Sequence, residues 1–243
     1  SSDDLMEKYF KNGFLDNYVI VKGLRYRVIN NEIVLLLCGS SFKNKGVQNL
    51  LDAVLMYLPS PVDIPYVFGS FNDVKVECPP SVDAHFAALA FKVATDPFVG
   101  TLTYIRVYSG KASSGQFVFN VNKSNKERLS RILLMHANHR EEIKNIKVGD
   151  IVDIVGLKNT FTGDTLCSLD KKVVLEKIEF PSPVMSIALE PKTKNDQDRI
   201  SVGLRKLMHE DPSFIVSIDS ESNQTILSGM GELHLNIIVD RLK

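Results

Sequence analysis

Residues 38–47, CGSSFKNKGV, place Gly39 and Gly46 around two lysines, directly before an apolar helical pattern. A loop of this kind binds phosphates when Lys and then a hydroxyl residue follow the second glycine, because backbone N–H groups and the ammonium then converge on the phosphate oxygens. Here Val47 follows Gly46, which excludes that phosphate-binding motif. The pattern instead predicts a loop that leads into a helix, and the role of this loop depends on its neighbours.

Histidines offer a second kind of chemistry. His136 and His139 could supply two imidazoles to a metal ion, but the only further ligands nearby are Glu141 and Glu142. That spacing favours histidines that lie on the surface or face RNA over a metal site. His234 lies in GELHL without the HExxH pattern of zinc proteases, which favours a histidine at a helix start or a domain contact.

Nucleophilic and acid/base catalysis have no positive support. The sequence contains no G-x-S-x-G motif, no cysteine with a credible histidine partner and no obvious pair of acid/base carboxylates. We therefore predict neither catalytic residues nor metal ligands in this chain.

Basic residues are concentrated between positions 121 and 147, where the local net charge is +4. Basic side chains on strands and turns suit a phosphate backbone, because each neutralised phosphate releases counterions. A solvated charged face with ordinary ion pairs explains the same composition equally well.

Proline-containing stretches at 58–65 and 180–183 divide the chain into three segments, because proline interrupts helices and central strands. In the first segment, IVLLL at 33–37 is typical of a strand buried on both faces of a parallel sheet. Apolar residues then recur with helical spacing from Val47 to Leu58. This strand, loop and helix resemble the last piece of a doubly wound α/β domain.

The middle segment predicts strands at 86–95, 101–110, 116–122, 131–136, 150–156 and 172–180. Glycines separate them at turn-like intervals, as in a small antiparallel barrel; these are Gly100, Gly110, Gly115, Gly149 and Gly163.

The last segment predicts a strand in MSIALEP, a helix with Asn195 as N-cap, a hairpin from FIVSID and QTILSG, and a final helix in GELHLNIIVDRLK. The order β-α-β-β-α is that of a split βαβ domain without its last strand.

Composition limits the possible partners. The 243 residues are 44% apolar, enough for globular cores, and their formal net charge is zero. Any nucleic acid must therefore bind a local patch. Cys38, Cys78 and Cys167 form no CxxC pair, and the N-terminus has no export pattern, so we expect a reducing, cytoplasmic setting without membrane insertion.

Long segments of the chain resemble bacterial or organellar elongation factor G, a translational GTPase. They include CGSSFKNKGVQNLLDAV, FAALAFKVATDPFVGTLTYIRVYSG, ILLMHANHREEI, GLKNTFTGDTL, EFPSPVMSIALEPKTKNDQ and QTILSGMGELHLNIIVDRLK. The resemblance implies three parts: residues 1–65 as the C-terminal remnant of an α/β P-loop GTPase domain with its linker, 66–181 as the antiparallel β-barrel domain II, and 182–243 as a truncated, ferredoxin-like α+β domain III.

The resemblance also implies a role for the first loop. In that family a Ser-Ala element after the last strand of the GTPase domain helps to recognise guanine, and the matching residues here are Ser40 and Ser41, followed by Phe42. Ser at position 41 departs from the usual Ala, although the backbone donor is the same. The family's phosphate loop, magnesium-binding switches and Asn-Lys-x-Asp motif do not occur in this sequence. GTP and Mg²⁺ would thus belong to the intact protein, and we predict that this chain binds neither and does not hydrolyse GTP.

The same resemblance implies the ribosome as partner, with the barrel on small-subunit RNA and proteins, and indirect contact with the tRNA–mRNA complex. We predict RNA contacts at Lys123, Arg128, Arg140 and Lys158 from charge and turn placement. We expect a monomer without DNA or membrane partners, in the bacterial cytosol or in an organelle matrix.

Two alternatives remain open. A ribosome-recycling paralogue, release factor three or a ribosome-protection protein shares this architecture. A non-enzymatic adaptor that binds RNA or protein is the candidate from another class.

Overall fold

The computed structural model describes residues 3–64, 66–96, 99–137, 139–191, 193–220 and 222–242. The chain divides into two compact units, residues 1–65 and residues 66–243. The helices are α1 (Asp3–Asn12), α2 (Asn17–Ile29), α3 (Val47–Tyr57), α4 (Lys194–Glu210) and α5 (Glu232–Leu242). The strands are β1 (Val67–Phe71), β2 (Val74–Cys78), β3 (Ala87–Asp96), β4 (Gly100–Ser109), β5 (Lys111–Ser113), β6 (Phe117–Asn120), β7 (Asn125–Arg128), β8 (Arg131–His136), β9 (His139–Ile143), β10 (Asn145–Lys147), β11 (Ile151–Val155), β12 (Thr165–Cys167), β13 (Met185–Leu189), β14 (Ile215–Ile218) and β15 (Thr225–Gly229).

The first unit contains α1, α2 and α3. Helix α3 begins after Gly46 and ends at Tyr57, which confirms the helix expected from the apolar spacing. Arg25 of α2 caps its end, since Nη1 donates to the carbonyl oxygens of Met56 and Leu58 at 2.9 and 3.1 Å. These carbonyls have no partner within the helix, and a cation suits the negative end of the helix dipole.

The predicted buried strand at 33–37 is wrong. Residues 33–37 form no strand, and the side chains of Val34 and Leu36 are 96% and 92% exposed. A strand buried on both faces needs strands on both edges and helices on both faces. The described part of the chain supplies neither to this segment.

The second unit is built on an eight-stranded antiparallel sheet with the order β7-β6-β12-β3-β4-β11-β8-β9. Five of the six predicted strands are confirmed. The sheet curls around one core, because β3, β4, β6, β8, β11 and β12 all contribute side chains to the same apolar cluster, together with the small ribbon of β5 and β10. The five glycines expected at turns all have positive φ, which confirms their turn positions.

The sixth predicted strand, 172–180, is wrong. Its only ladder contact is a bridge between Val174 and Ser70. The segment crosses β1 at Gly69, where a Cβ atom would lie 2.3 Å from a methyl group of Val173 and 2.7 Å from the carbonyl oxygen of Val174. Val173 and Leu175 pack into a second core under the β1–β2 hairpin. The apolar residues of this segment therefore serve packing and do not indicate a strand of the sheet.

Strands β13–β15 and helices α4 and α5 form the third module, with the sheet order β13-β15-β14 and its own core. The predicted order β-α-β-β-α is confirmed. The predicted N-cap is wrong: Thr193 caps α4, and its side chain accepts a hydrogen bond from the Asp196 N–H. Thr193 has an extended backbone, whereas Asn195 already lies inside the helix.

Asp153 is a buried carboxylate in the middle of the barrel sheet. It pairs with Tyr104 on β4 and Leu133 on β8, and it is 1% exposed. Burial raises its pKa to about 6, against the opposing effects of the Tyr104 hydroxyl and the Lys92 charge. The folded-state pKa lies above the ordinary value of 3.8, so ionisation of Asp153 destabilises the folded protein. This destabilisation grows as the pH rises above about 3.8 and reaches its full size above about pH 6.

We therefore expect Asp153→Asn to increase the free energy of unfolding at pH 8 by about 3 kcal/mol and to change it little below about pH 4. Urea unfolding at both pH values measures the difference. Asp83→Asn is the control, because that side chain is 93% exposed in the same unit. An equal effect of Asp153→Asn at both pH values would contradict this assignment.

Candidate nucleotide and RNA contact sites

The loop between residues 38 and 46 is closed by backbone hydrogen bonds. The N–H of Ser40 donates to the carbonyl oxygen of Lys45, and the reverse bond is also present, both at 2.9 Å. Gly46 has a φ of 75°, and a Cβ atom there would lie 3.1 Å from the carbonyl oxygen of Cys38. The loop therefore needs glycine at Gly46 for this close approach.

The predicted guanine-contact residues Ser40, Ser41 and Phe42 lie together at the start of a short 3₁₀ turn, Ser41–Lys43. The first N–H groups of a helical turn have no partner within it, so those of Ser41 and Phe42 are suited to a ligand oxygen. The Phe42 side chain is 99% exposed. The contact to guanine stays a prediction.

Two of the predicted RNA contacts, Lys123 and Lys158, lie at one end of the barrel on the loops 121–124 and 156–164. Both residues are exposed, and Lys123 Nζ lies 4.6 Å from the ring centroid of Phe161. The second loop is also tied to β7 by Asn159, whose N–H donates to Glu127 Oε1 at 2.8 Å.

A buried polar network fixes these two loops. Asn120 Nδ2 donates to Asp164 Oδ2 at 2.9 Å, and the same oxygen accepts from the Phe161 N–H at 2.9 Å. Asn120 Oδ1 accepts from the Lys123 N–H at 3.1 Å. Asn120 and Asp164 are 0% and 6% exposed, and their bond is the shortest that Asn120 Nδ2 makes. The same amide also donates to the Asn159 carbonyl oxygen at 3.3 Å and to Thr160 Oγ1 at 3.4 Å.

The other two predicted RNA contacts lie elsewhere on the barrel. Arg140 on β9 forms an ion pair with Asp96 at the end of β3, which neutralises part of its charge. Arg128 on β7 donates to the carbonyl oxygen of Gly115 at 3.3 Å and lies over the ring of Phe117. The structure thus brings Lys123 and Lys158 to one end and leaves Arg128 and Arg140 apart from them.

The histidines have different surroundings. His136 and His139 pair across the β8–β9 hairpin on exposed positions. His234 Nδ1 accepts from the Met230 N–H at 3.1 Å, so Nε2 carries the hydrogen and donates to Asp211 Oδ2 at 2.8 Å. Burial raises the pKa of Asp211, but hydrogen bonds from Ser213 and His234 together outweigh this effect and hold the pKa below its ordinary value. His234 therefore has the structural role at a helix start that the sequence favoured.

A contact between the barrel and the third module was missed by the sequence analysis. It involves the last two residues of α4. The His209 ring lies edge-on to Phe161 with 4.3 Å between centroids. Glu210 Oε1 accepts from the Thr95 N–H of β3 at 3.0 Å. Nothing in the local sequence identifies these long-range partners.

The chain matches two family models in the same part of elongation factor G. The model for Elongation factor G domain 2 matches residues 85–169, and that for Elongation Factor G, domain III, matches residues 180–243. A crystal structure of a protein from Thermus thermophilus is also similar, with 26% sequence identity and a TM-score of 0.80. The match covers 99% of this chain but only 34% of the Thermus chain.

The described residues contain no group of three or more His, Cys, Asp or Glu side chains arranged to hold a metal ion. Within the same residues, no helix has the length and apolar character that crossing a bilayer requires.

The polar network gives a prediction for the loop that carries Lys158. Asp164→Ala should lower the free energy of unfolding by about 1–3 kcal/mol, because it leaves the Phe161 N–H without its acceptor and removes the shortest hydrogen bond of the buried Asn120 amide. Urea unfolding measures the loss, and amide exchange at Phe161 should accelerate. Glu141→Ala, at an exposed position on β9, is the control and should have little effect. Unchanged exchange at Phe161 would contradict the network.

Proposed function

We propose that this chain, which belongs to the elongation factor G family, is the central part of a ribosomal translocase. The intact protein would use GTP binding and hydrolysis, with Mg²⁺, to move tRNA and mRNA during protein synthesis. The observation that carries the proposal is the pair of adjacent family matches, which lie in the same order as the two folded modules.

In this proposal the barrel contacts small-subunit ribosomal RNA. The barrel end with Lys123 and Lys158 is the best-supported contact, because two cations project from loops that a buried network holds in place. Fixed cations bind phosphates without first losing loop entropy. Arg128 and Arg140 would add contacts at other points of the barrel surface.

The first unit would contribute recognition of the guanine base through Ser40, Ser41 and Phe42. The loop presents backbone N–H groups, which suit a base oxygen, but no G-x-x-x-x-G-K-[ST] motif occurs in residues 1–243. The catalytic and phosphate-binding groups would therefore come from outside these residues, and the 243-residue chain alone would be inactive.

The RNA contact can be tested by sedimentation with small ribosomal subunits over a salt series. We expect weak, salt-sensitive association, and Lys123→Gln with Lys158→Gln should reduce the slope of log K against log salt by about 2, roughly one per lost phosphate contact. Lys8→Gln with Lys22→Gln removes equal charge from the first unit and is the control. Salt-independent association, or binding to an unrelated protein instead, would favour the adaptor.

The assignment of the nucleotide chemistry has its own test. Titration of GTP or GDP into the 243-residue chain should give no saturable signal at micromolar concentrations, because the contacts to phosphate and Mg²⁺ that supply most of the affinity are not encoded here. Calorimetry or a fluorescent nucleotide measures this. A 1:1 isotherm or GTP turnover by the chain alone would contradict the assignment.

A further inference from the structure

Glu210 lies in a position that its own helix does not favour. It is the last residue of α4, where the helix dipole is negative and a carboxylate is repelled. Its side chain is nevertheless only 11% exposed. A carboxylate in such an unfavourable position is expected to have long-range partners that compensate for the repulsion.

The partners are on two other elements. Glu210 Oε1 accepts from the Thr95 N–H of β3 at 3.0 Å, and Oε2 accepts from Arg241 Nη2 of α5 at 2.6 Å. One carboxylate therefore connects a barrel strand with both helices of the third module. Such charge-assisted bonds are short and strongly directional.

The barrel needs this contact because one edge of β3 is incompletely paired. Strand β12 covers only Ala87–Leu89 of this ten-residue strand. Beyond it, Ala90 bonds with Gly163 and Asp164 through backbone groups. Further along, Glu210 satisfies the N–H of Thr95. Unpaired backbone groups at a sheet edge are costly when buried, so a side chain that covers them stabilises the edge.

Among the described elements, α4 provides the main contact between the two modules. The barrel and the third module have separate apolar cores. The chain between them, residues 176–184, has no regular structure, and all but one of its residues are exposed. Beside Glu210, the edge-on contact of His209 with Phe161 adds an aromatic packing point. An extended, exposed linker does not fix an orientation, so the orientation must come from the α4 contact.

We propose that Glu210 is a positioning residue, whose shared carboxylate fixes the third module against the barrel and whose release lets the module turn about the linker without unfolding. The contact consists of hydrogen bonds to one carboxylate and one aromatic pair, so it is broken at lower cost than either core. Arg241 is 52% exposed, which leaves it accessible to a competing anion. The proposal concerns the resting orientation of two folded modules and does not depend on RNA or GTP binding.

The test uses the full 243-residue chain, labelled for NMR. Residual dipolar couplings measured separately in the barrel and in the third module should fit one alignment tensor in the wild type. In Glu210→Ala, which removes both acceptor oxygens, they should require two tensors, and exchange of the Thr95 amide should accelerate at least about tenfold. Arg241→Gln should give a smaller change, because the Thr95 bond remains.

Glu142→Ala is the matched control, since Glu142 also pairs with an arginine, Arg131, but on the exposed surface of the barrel at 3.0 Å. It should keep a single tensor. Amide protection of Ile105 and Leu227, in the two cores, should be the same in all variants and shows that each module is folded. If Glu210→Ala keeps one tensor and wild-type protection at Thr95, Glu210 does not set the orientation and the proposal is wrong.

Discussion

The second unit depends on one constraint: the edge of β3 that faces β12 is only partly paired. This strand is central to the barrel sheet, yet its partner β12 ends after three residues. The remaining backbone groups must find other partners, because buried and unpaired N–H groups are strongly destabilising. Residues 163 and 164 pair with Ala90, and Glu210 pairs with Thr95. The loop that carries Lys158 and helix α4 of the third module are therefore both bonded to this edge of β3.

This constraint links the parts that we propose to act together. Asp164 bonds to β3 through its backbone and to Asn120 through its side chain, so it connects the barrel edge with the loop of Lys123. Phe161, on the same loop, contacts both Lys123 and His209. A displacement of the loops that carry Lys123 and Lys158, our proposed RNA contacts, would thus reach α4 through Phe161 and His209. Rotation of rigid modules about a shared interface is one known form of conformational switching.

Much of the fold could be predicted from the sequence, because its signals are local. The apolar spacing of α3, the alternation in the barrel strands and the order of elements in the third module all come from short-range patterns. The predictions for segments 33–37 and 172–180 are wrong because apolar composition does not reveal whether a strand has neighbours. The first lies exposed, whereas Val173 and Leu175 of the second pack into a core without forming a ladder. Helices α1 and α2 were not predicted at all.

The contacts of the candidate site could be predicted less well from the sequence than the fold. Charge and turn placement selected Lys123, Arg128, Arg140 and Lys158 alike, and they could not show that Arg140 is paired with Asp96. The partners of Glu210 lie 115 and 31 residues away, on β3 and α5, so no local pattern marks them. The resemblance to elongation factor G rests on long segments, and the family matches to domains 2 and III support it.

The central claim is that this chain is a ribosome-binding part of a translocase that meets RNA at one end of its barrel. A cryo-electron microscopy structure of the chain bound to the small ribosomal subunit tests it most directly. Our account predicts Lys123 and Lys158 within hydrogen-bonding distance of ribosomal RNA phosphates. A complex in which that end of the barrel faces solvent, while another surface contacts the ribosome, would contradict it.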